Sequence, residues 1–269
     1  VVLNKILIVD DDKNICDILK KHFEKEGYTV IISNDGDEAL VKIHALKPDM
    51  ILLDDNFATI VKAVVTGRNV YRNIKNSIRY LLSGNFAGIL CVLICSILML
   101  PTPFFPVHLL FMNLITDSLP AIAIGMEASR YDVLKEKPRS SNDSILNKSA
   151  FVQIGSEGII IAICSMIAFF IGLKLSTMTA STMAFTTICL ARLLHGFNCR
   201  SDQRLNKIGL LSNLSSVIAF IVGFALLHII LFTPFLHELF MIEPISLYQL
   251  LMIYGLSLLP TIIIQTRKK

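Results

Sequence analysis

FFPVHLLFMNLITDSLPAIAIGM, residues 104–126, is an apolar stretch with a small polar group at its centre. A helix needs about 20 apolar residues to cross a bilayer, and this stretch is long enough. Asn113, Thr116 and Asp117 lie at i, i+3 and i+4, so they share one face of such a helix. Pro120 has no N–H, which deprives the carbonyl of Thr116 of its usual helical donor.

This polar group predicts a metal-cation site within the membrane. Its carboxylate, amide, hydroxyl and carbonyl are hard oxygen ligands, which suit calcium, magnesium or manganese better than soft metals. An ionisable residue within a span is by default a functional-site hypothesis. The alternative is a polar contact between helices, because buried polar side chains also hold bundles together.

Most of the chain is apolar enough for a membrane protein. Hydrophobic residues make up 54% of the sequence and charged residues 17%, and the mean hydropathy is +0.64. We predict a mostly α fold, a six-helix transmembrane bundle. Its spans lie near 78–100, 104–126, 152–173, 180–198, 212–233 and 246–265, the fourth being interrupted by Arg192 and His195. The six cysteines form no CxxC pair and are interpreted as apolar filler.

Basic residues orient this bundle because they fall on alternate connections. They occupy 68–79 before the first span, 130–148 after the second, 200–207 after the fourth and 267–269 at the end, whereas the opposite connections contribute only Lys174. The positive-inside rule then places both termini in the cytoplasm. The net charge of +4 reflects this topology, and no basic-aromatic patch suggests a nucleic-acid partner.

The first 54 residues have a different pattern, with short apolar runs at 5–9, 28–32 and 50–53. Amphipathic segments separate the runs, and their inward stripes are predicted to be Ile15, Ile18, Leu19 and Phe23, then Ala39, Leu40 and Ile43. The order β-α-β-α-β predicts parallel strands. Because the carboxyl ends of adjacent parallel strands converge, we expect Asp10, Asp11 and Asp54 to form an acidic pocket suited to a divalent cation.

KILIVDDDKN (5–14), GYTVIISNDGDEAL (27–40) and KPDMILLD (47–54) resemble the receiver domain of two-component response regulators. The resemblance implies a flavodoxin-like α/β fold, magnesium binding by Asp10 and Asp11, and phosphate transfer from a histidine kinase to Asp54. It covers about residues 1–54, which is near half of such a domain. A folded but inert half-sheet is the alternative.

DMILLDDNFATIVKAVVTGRNVYRNIKNSIRYLLSGN (49–85) and NLITDSLPAIAIG (113–125) resemble P-type calcium-transporting ATPases. The resemblance covers about 49–269 and implies a hinge and stalk over 55–77, followed by the pump's carboxyl-terminal membrane domain over 78–269. It also implies that Asn85 joins the polar group of the second span in binding the transported cation, calcium or manganese.

Two departures from that family predict one cation site instead of two. Gly88 and Arg192 replace glutamates that two-site pumps carry in the fifth and eighth helices. The guanidinium of Arg192 could repel a second cation and pair with Asp117, or it could extend to the cytoplasmic edge. Gly84 and Gly88 form a small-xxx-small face, and Glu157 is expected to face the membrane interface.

The ATPase resemblance is incomplete in a way that matters for chemistry. The DKTGT, TGES and GDGxND motifs of P-type pumps do not occur in these residues, so this polypeptide alone is expected neither to bind ATP nor to drive cations uphill. The two resemblances meet in PDMILLDD (48–55), which fits both families. A chimera formed by recombination or misassembly explains this junction, and a genuine fused gene is the alternative.

We therefore predict a fragment of a cation pump, an integral membrane protein of a bacterial plasma membrane that contacts lipid and a divalent cation. One alternative is a membrane-tethered phosphorelay protein that accepts phosphate on Asp54. The other is a structural half that assembles with a separate amino-terminal pump half.

Overall fold

The computed structural model describes residues 4–53, 57–128, 133 and 145–268. The chain divides into two compact units, Val1–Val64 and Val65–Lys269. The boundary between the units falls inside the segment 55–77, for which the ATPase resemblance predicts a hinge and stalk.

The amino-terminal unit contains a three-stranded parallel sheet. Its strands are β1 (Lys5–Val9), β2 (Thr29–Ser33) and β3 (Met50–Leu53), arranged in the order β2-β1-β3. Helix α1 (Lys13–Lys25) connects β1 to β2, and helix α2 (Gly36–Leu46) connects β2 to β3. The predicted β-α-β-α-β order and parallel pairing are confirmed.

The side chains of β1 alternate between two small cores. Ile6 and Ile8 pack against Cys16 of α1, whereas Leu7 and Val9 pack against Ala39 of α2. This is the two-sided burial expected of a central parallel strand.

The helical stripes of this unit are only partly buried, which corrects the prediction. Leu19, Phe23 and Ile43 contact the cores, but Ile18 is 67% exposed and Leu40 57% exposed. Ile15 is exposed as well. The described sheet has three strands, so the outer edges of both apolar stripes extend beyond it.

The six predicted membrane spans are confirmed as helices of sufficient length and hydropathy. They comprise α3 (Phe57–Ile97); α4 (Pro106–Phe111), a π-helix (Met112–Asp117) and α5 (Ser118–Gly125) as the second span; α6 (Lys148–Leu173); α7 (Thr177–Cys199); α9 (Leu214–Phe232); and α11 (Leu247–Arg267). Short helices α8 (Leu205–Ile208) and α10 (Pro234–Phe240) and a 3-10 turn (Leu210–Ser212) lie in the connections.

Helix α7 is the most enclosed span. Its apolar segment is 83% buried, whereas the other five segments are between 22% and 56% buried. A Cβ atom at Gly172 of α6 would lie 2.6 Å from Cα of Ala180, so α6 and α7 approach closely. Arg192 and His195 are tolerated in α7 because neighbouring helices, instead of lipid, surround them.

Described residues that follow the second, fourth and sixth spans lie close together at one end of the bundle. Arg200, after α7, donates to the carboxylate of Glu127, after α5, at 2.8 Å. Lys268, after α11, donates to the carbonyl of Ser201 at 2.6 Å. These contacts bring the second connection, the fourth connection and the end of α11 together, as an even number of spans requires.

Candidate cation site

The polar group of the second span lies in a widened turn of helix. Residues Met112–Asp117 form a π-helix between α4 and α5, and π-turns inside helices are frequent at functional sites. Pro120, three residues after this turn, cannot donate to the carbonyl of Thr116. That carbonyl instead accepts a hydrogen bond from the hydroxyl of Tyr80 in α3. The carbonyl predicted to be free therefore has a donor from another helix.

The predicted ligands differ in burial and orientation. Thr116 is buried, and its hydroxyl donates to the carbonyl of Met112 at 2.8 Å. Asp117 is buried at 5% exposure, whereas Asn85 and Asn113 are exposed. The structure thus brings Asp117 and Asn85 together through one shared partner, Arg192. The Thr116 side chain is instead hydrogen-bonded within its own helix.

Arg192 is that shared partner. Its Nη2 atom donates to Oδ1 of Asp117 in a buried ion pair and to Oδ1 of Asn85 at 3.1 Å. Arg192 is only 2% exposed, so its side chain crosses the bundle interior instead of extending to the membrane edge. Its Nε atom has no hydrogen-bond partner among the described residues.

A glycine makes room for this guanidinium. A Cβ atom at Gly84 would lie 2.5 Å from Nε of Arg192, closer than real Cβ contacts allow. At Gly88 a Cβ would meet nothing within 4 Å. The predicted close approach therefore occurs at Gly84 only, and Gly88, where two-site pumps carry a glutamate, borders open space.

A second buried charge cluster lies nearby. Arg79 of α3 donates to both carboxylate oxygens of Glu157 in α6, with Nε to Oε2 at 2.9 Å. Nε2 of His195 lies 3.0 Å from Oγ of Ser83 and 3.5 Å from Oε2 of Glu157. The expectation that Glu157 faces the interface is wrong. It is 4% exposed, because Arg79 supplies its counter-charge inside the bundle.

The sequence reasoning missed Tyr80, Arg79 and His195 as site neighbours. A buried arginine and carboxylate in separate spans are a signal for pairing, but the spacing within one helix does not identify the partner. Cys199, interpreted as filler, is buried and lies 3.2 Å from Nε2 of His195.

The acidic residues of the amino-terminal unit lie at the carboxyl end of β1. Asp10 is 5% exposed, and its Oδ1 accepts a hydrogen bond from the backbone N–H of Asp12 at 2.7 Å. Asp11 is exposed. Val9 pairs with Leu53 across β1 and β3, but Asp54 lies outside the described residues, so the predicted three-carboxylate pocket stays a prediction.

Comparison with known families supplies the identification. Residues 101–269 match the family model described as "Cation transporting ATPase, C-terminus". The chain belongs to the cation-transporting ATPase family. The match includes the π-helix, Asp117 and Arg192. Of the residues that contact one another in the candidate cation site, Asn85 and Tyr80 precede the matched segment. Residues 6–79 match the model of the response regulator receiver domain, which confirms the resemblance of the amino-terminal unit.

Several curated proteins share this ATPase region. A calcium-transporting ATPase of Bacillus subtilis is 32% identical over 93% of this chain and 31% of its own length. One from Listeria monocytogenes is 43% identical over 68% of this chain and 20% of its own length. Human calcium-transporting ATPase type 2C member 1 is 30% identical over 93% of this chain and 29% of its own length. The chain therefore spans about a third or less of these relatives.

Proposed function

We propose that this chain is the carboxyl-terminal, cation-binding membrane part of a calcium-transporting ATPase and that it binds one divalent cation at Asp117. The observation that carries this proposal is the buried carboxylate of Asp117. Its counter-charge is the guanidinium of Arg192, which also contacts a second predicted ligand, Asn85. A carboxylate inside a bundle needs a positive charge, and a divalent cation can supply it in place of Arg192.

The proposed ligands are Asn85, Asn113, Thr116 and Asp117. The side-chain oxygens of Asn85 and Asp117 already converge on one cationic group, Nη2 of Arg192. The hydroxyl of Thr116 donates its hydrogen to the carbonyl of Met112, which leaves the lone pairs of its oxygen for a cation. Amide, hydroxyl and carboxylate oxygens are the ligand types that calcium and manganese accept.

Arg192 is proposed to act as a built-in competitor of the cation. Its guanidinium must leave Asp117 before a metal ion can bind there. The unpaired Nε atom makes the paired state less favourable, because a buried unsatisfied donor costs about 1–3 kcal/mol. The same positive charge opposes a second cation, which supports a single site.

Calcium is the favoured cargo because the names of the relatives specify calcium transport, with manganese as the alternative. We propose that ATP is bound elsewhere in such a pump, either in the same polypeptide or in a separately encoded amino-terminal half. This chain then contributes the cation pathway and depends on those parts for energy.

The orientation proposed for the bundle has both termini in the cytoplasm of a bacterial cell. Its support is the common position of the basic connections, joined by Arg200–Glu127 and Lys268–Ser201 at one end of the spans.

Cation-dependent protection tests the cation site. The detergent-solubilised chain is heated or exposed to protease with calcium, manganese or magnesium. We expect calcium or manganese to protect the wild-type protein and not Asp117→Ala. Glu238→Ala, which removes an exposed carboxylate outside the spans, is the matched control and should retain protection. Equal protection of the Asp117→Ala protein would refute the assignment.

A second candidate function is supported by the parallel sheet and the buried Asp10 at the end of β1. We propose that Asp10 and Asp11 hold magnesium beside Asp54, which accepts phosphate from a histidine kinase. Asp11 is exposed, and the carboxylate of Asp10 has lone pairs left beside the one that accepts from Asp12. The two carboxylates therefore fit such an ion. Acetyl phosphate with magnesium should yield a labile acyl phosphate that Asp54→Asn loses and Asp37→Asn keeps. No incorporation by the wild-type chain would end this reading.

A further inference from the structure

A large basic cavity lies at the end of the bundle where the basic connections meet. Its volume is about 940 Å³, within the range of about 300–1,000 Å³ typical of small-molecule pockets. The cationic side chains in its lining are Arg68, Arg72, Lys75, Arg79, Arg267 and Lys268, and Asp202 is the acidic side chain that the described lining contains. This strong excess of positive charge predicts an anionic ligand.

Two of these cations belong to the internal structure of the bundle. Arg79 pairs with Glu157 and, through Nη1, with Asp202 at 3.1 Å. Lys268 donates to the carbonyl of Ser201 at 2.6 Å. Because Arg79 and Lys268 are engaged by these contacts, neither is available as a cation to a ligand.

Lys75 and Arg267 provide charge that the described protein does not use. Neither side chain has a hydrogen bond or ion pair with another described residue. Lys75 is half-buried and Arg267 is exposed, so both can reach a ligand in the cavity. Holding two like charges at one cavity is unfavourable in isolation, and an anion between them relieves the repulsion.

The cavity also includes the first turn of α6. Asn147, Ser149 and Ala150 line it, and Asn147 is the N-cap of this 26-residue helix. The amino-terminal end of a long helix carries partial positive charge and attracts phosphate groups. This electrostatic contribution is independent of the basic side chains and has the same sign.

The location favours a lipid as the source of the anion. The lining comes from the ends of α6 and α11, from α3, and from the segment after α7, so the cavity opens where the apolar spans end. Tyr71, Leu146 and Ala150 add less polar surface, and tyrosine is common at the level of headgroups. Basic pockets between membrane helices suit anionic headgroups.

We propose that this cavity binds the phosphate-bearing headgroup of an anionic phospholipid, with Lys75 and Arg267 contacting the phosphate. The site is separate from Asp117, and the proposal stands whether or not that residue binds a cation. A soluble phosphate offers the same chemistry from a different source, and the experiment below separates the two.

Native mass spectrometry of the full chain in detergent provides the test, with phosphatidylglycerol as the probe. Phosphatidylcholine and inorganic phosphate are measured in parallel. Because each basic side chain near an anionic lipid surface contributes about 1 kcal/mol, or about fivefold in affinity, Lys75→Gln/Arg267→Gln should bind phosphatidylglycerol about 30-fold more weakly. The double variant Lys174→Gln/Lys207→Gln removes the same charge outside the cavity and should bind as the wild type does.

The proposal predicts that the wild-type chain retains phosphatidylglycerol in preference to phosphatidylcholine and that excess inorganic phosphate does not displace it. If both double variants bind phosphatidylglycerol equally weakly, the lipid is attracted by the overall positive charge of the protein, and the proposed site is overturned. Displacement by inorganic phosphate at comparable concentration would overturn the lipid assignment. The wild-type comparison of the two lipids needs no variant, so equal retention of both lipids would also refute the proposal.

Discussion

Replacing Arg192 by glutamine should raise the affinity of the chain for calcium. In the structure the guanidinium contacts Asp117 and lies 3.1 Å from Oδ1 of Asn85, so a cation must displace it. Two unit charges about 4 Å apart attract by about 4 kcal/mol at an effective dielectric constant near 20. Desolvation of the buried pair offsets part of that attraction. If the pair is favourable by a net of about 1.4–2.8 kcal/mol, removing the guanidinium makes calcium binding about 10- to 100-fold tighter in Arg192→Gln.

Calcium titration of the purified chain at fixed pH and ionic strength measures this effect. Arg192→Lys is the matched control, because it keeps the positive charge and should bind calcium more weakly than Arg192→Gln. Size-exclusion profiles establish that each variant remains folded. Competition between Arg192 and calcium is refuted if Arg192→Gln binds calcium no more tightly than the wild type, or if the lysine variant gains as much affinity as the glutamine variant.

Gly84→Ala should lower the thermal midpoint, because its Cβ would lie 2.5 Å from Arg192 and overpacking typically costs about 1–3 kcal/mol. Gly88→Ala meets nothing within 4 Å and should raise the midpoint slightly, since alanine favours a helix by about 1 kcal/mol; equal effects at both sites would contradict this packing. In the amino-terminal unit, the hydrogen bond from Lys42 lowers the pKa of Glu38 to about 2. Because the folded pKa is depressed, the stabilisation is complete above the unfolded value near 4.5 and is lost as pH falls through about 2. The protection factors of the α2 amides, which correct for the pH dependence of intrinsic exchange, should therefore fall over that range in the wild type and depend less on pH in Glu38→Gln; an unchanged pH dependence in the variant would contradict the assignment.

Span number and the polar centre of the second span could be predicted from the sequence because both depend on local composition. Six long apolar runs have few alternatives to crossing a membrane. Asp117 stands out because an ionisable residue is costly in such a run. These signals need no knowledge of which helices are neighbours.

The partners in the site could not be predicted in the same way, because they come from distant parts of the chain. The hydroxyl of Tyr80 reaches the carbonyl of Thr116 from another span. Arg79 neutralises Glu157 although 78 residues separate them in sequence. Such contacts follow from helix packing, which hydropathy does not encode.

The amino-terminal unit shows a related limit. Its parallel strand pairing follows from the alternation of strands and helices, but the exposure of Ile18 and Leu40 depends on how far the sheet extends beneath each helix. An apolar stripe specifies which face of a helix prefers burial. It does not specify how much sheet is present to cover that face.

Equilibrium dialysis with radioactive calcium tests most directly whether Asp117 holds a single cation. The detergent-solubilised chain carrying Asp10→Asn and Asp11→Asn, which removes the acidic group proposed to hold magnesium, is dialysed over a range of calcium concentrations, and the bound ion is counted per protein molecule. We predict saturation at one calcium per chain and loss of that binding in Asp117→Asn. Saturation at two ions per chain, absence of saturable binding, or unchanged binding in Asp117→Asn would contradict the proposed site.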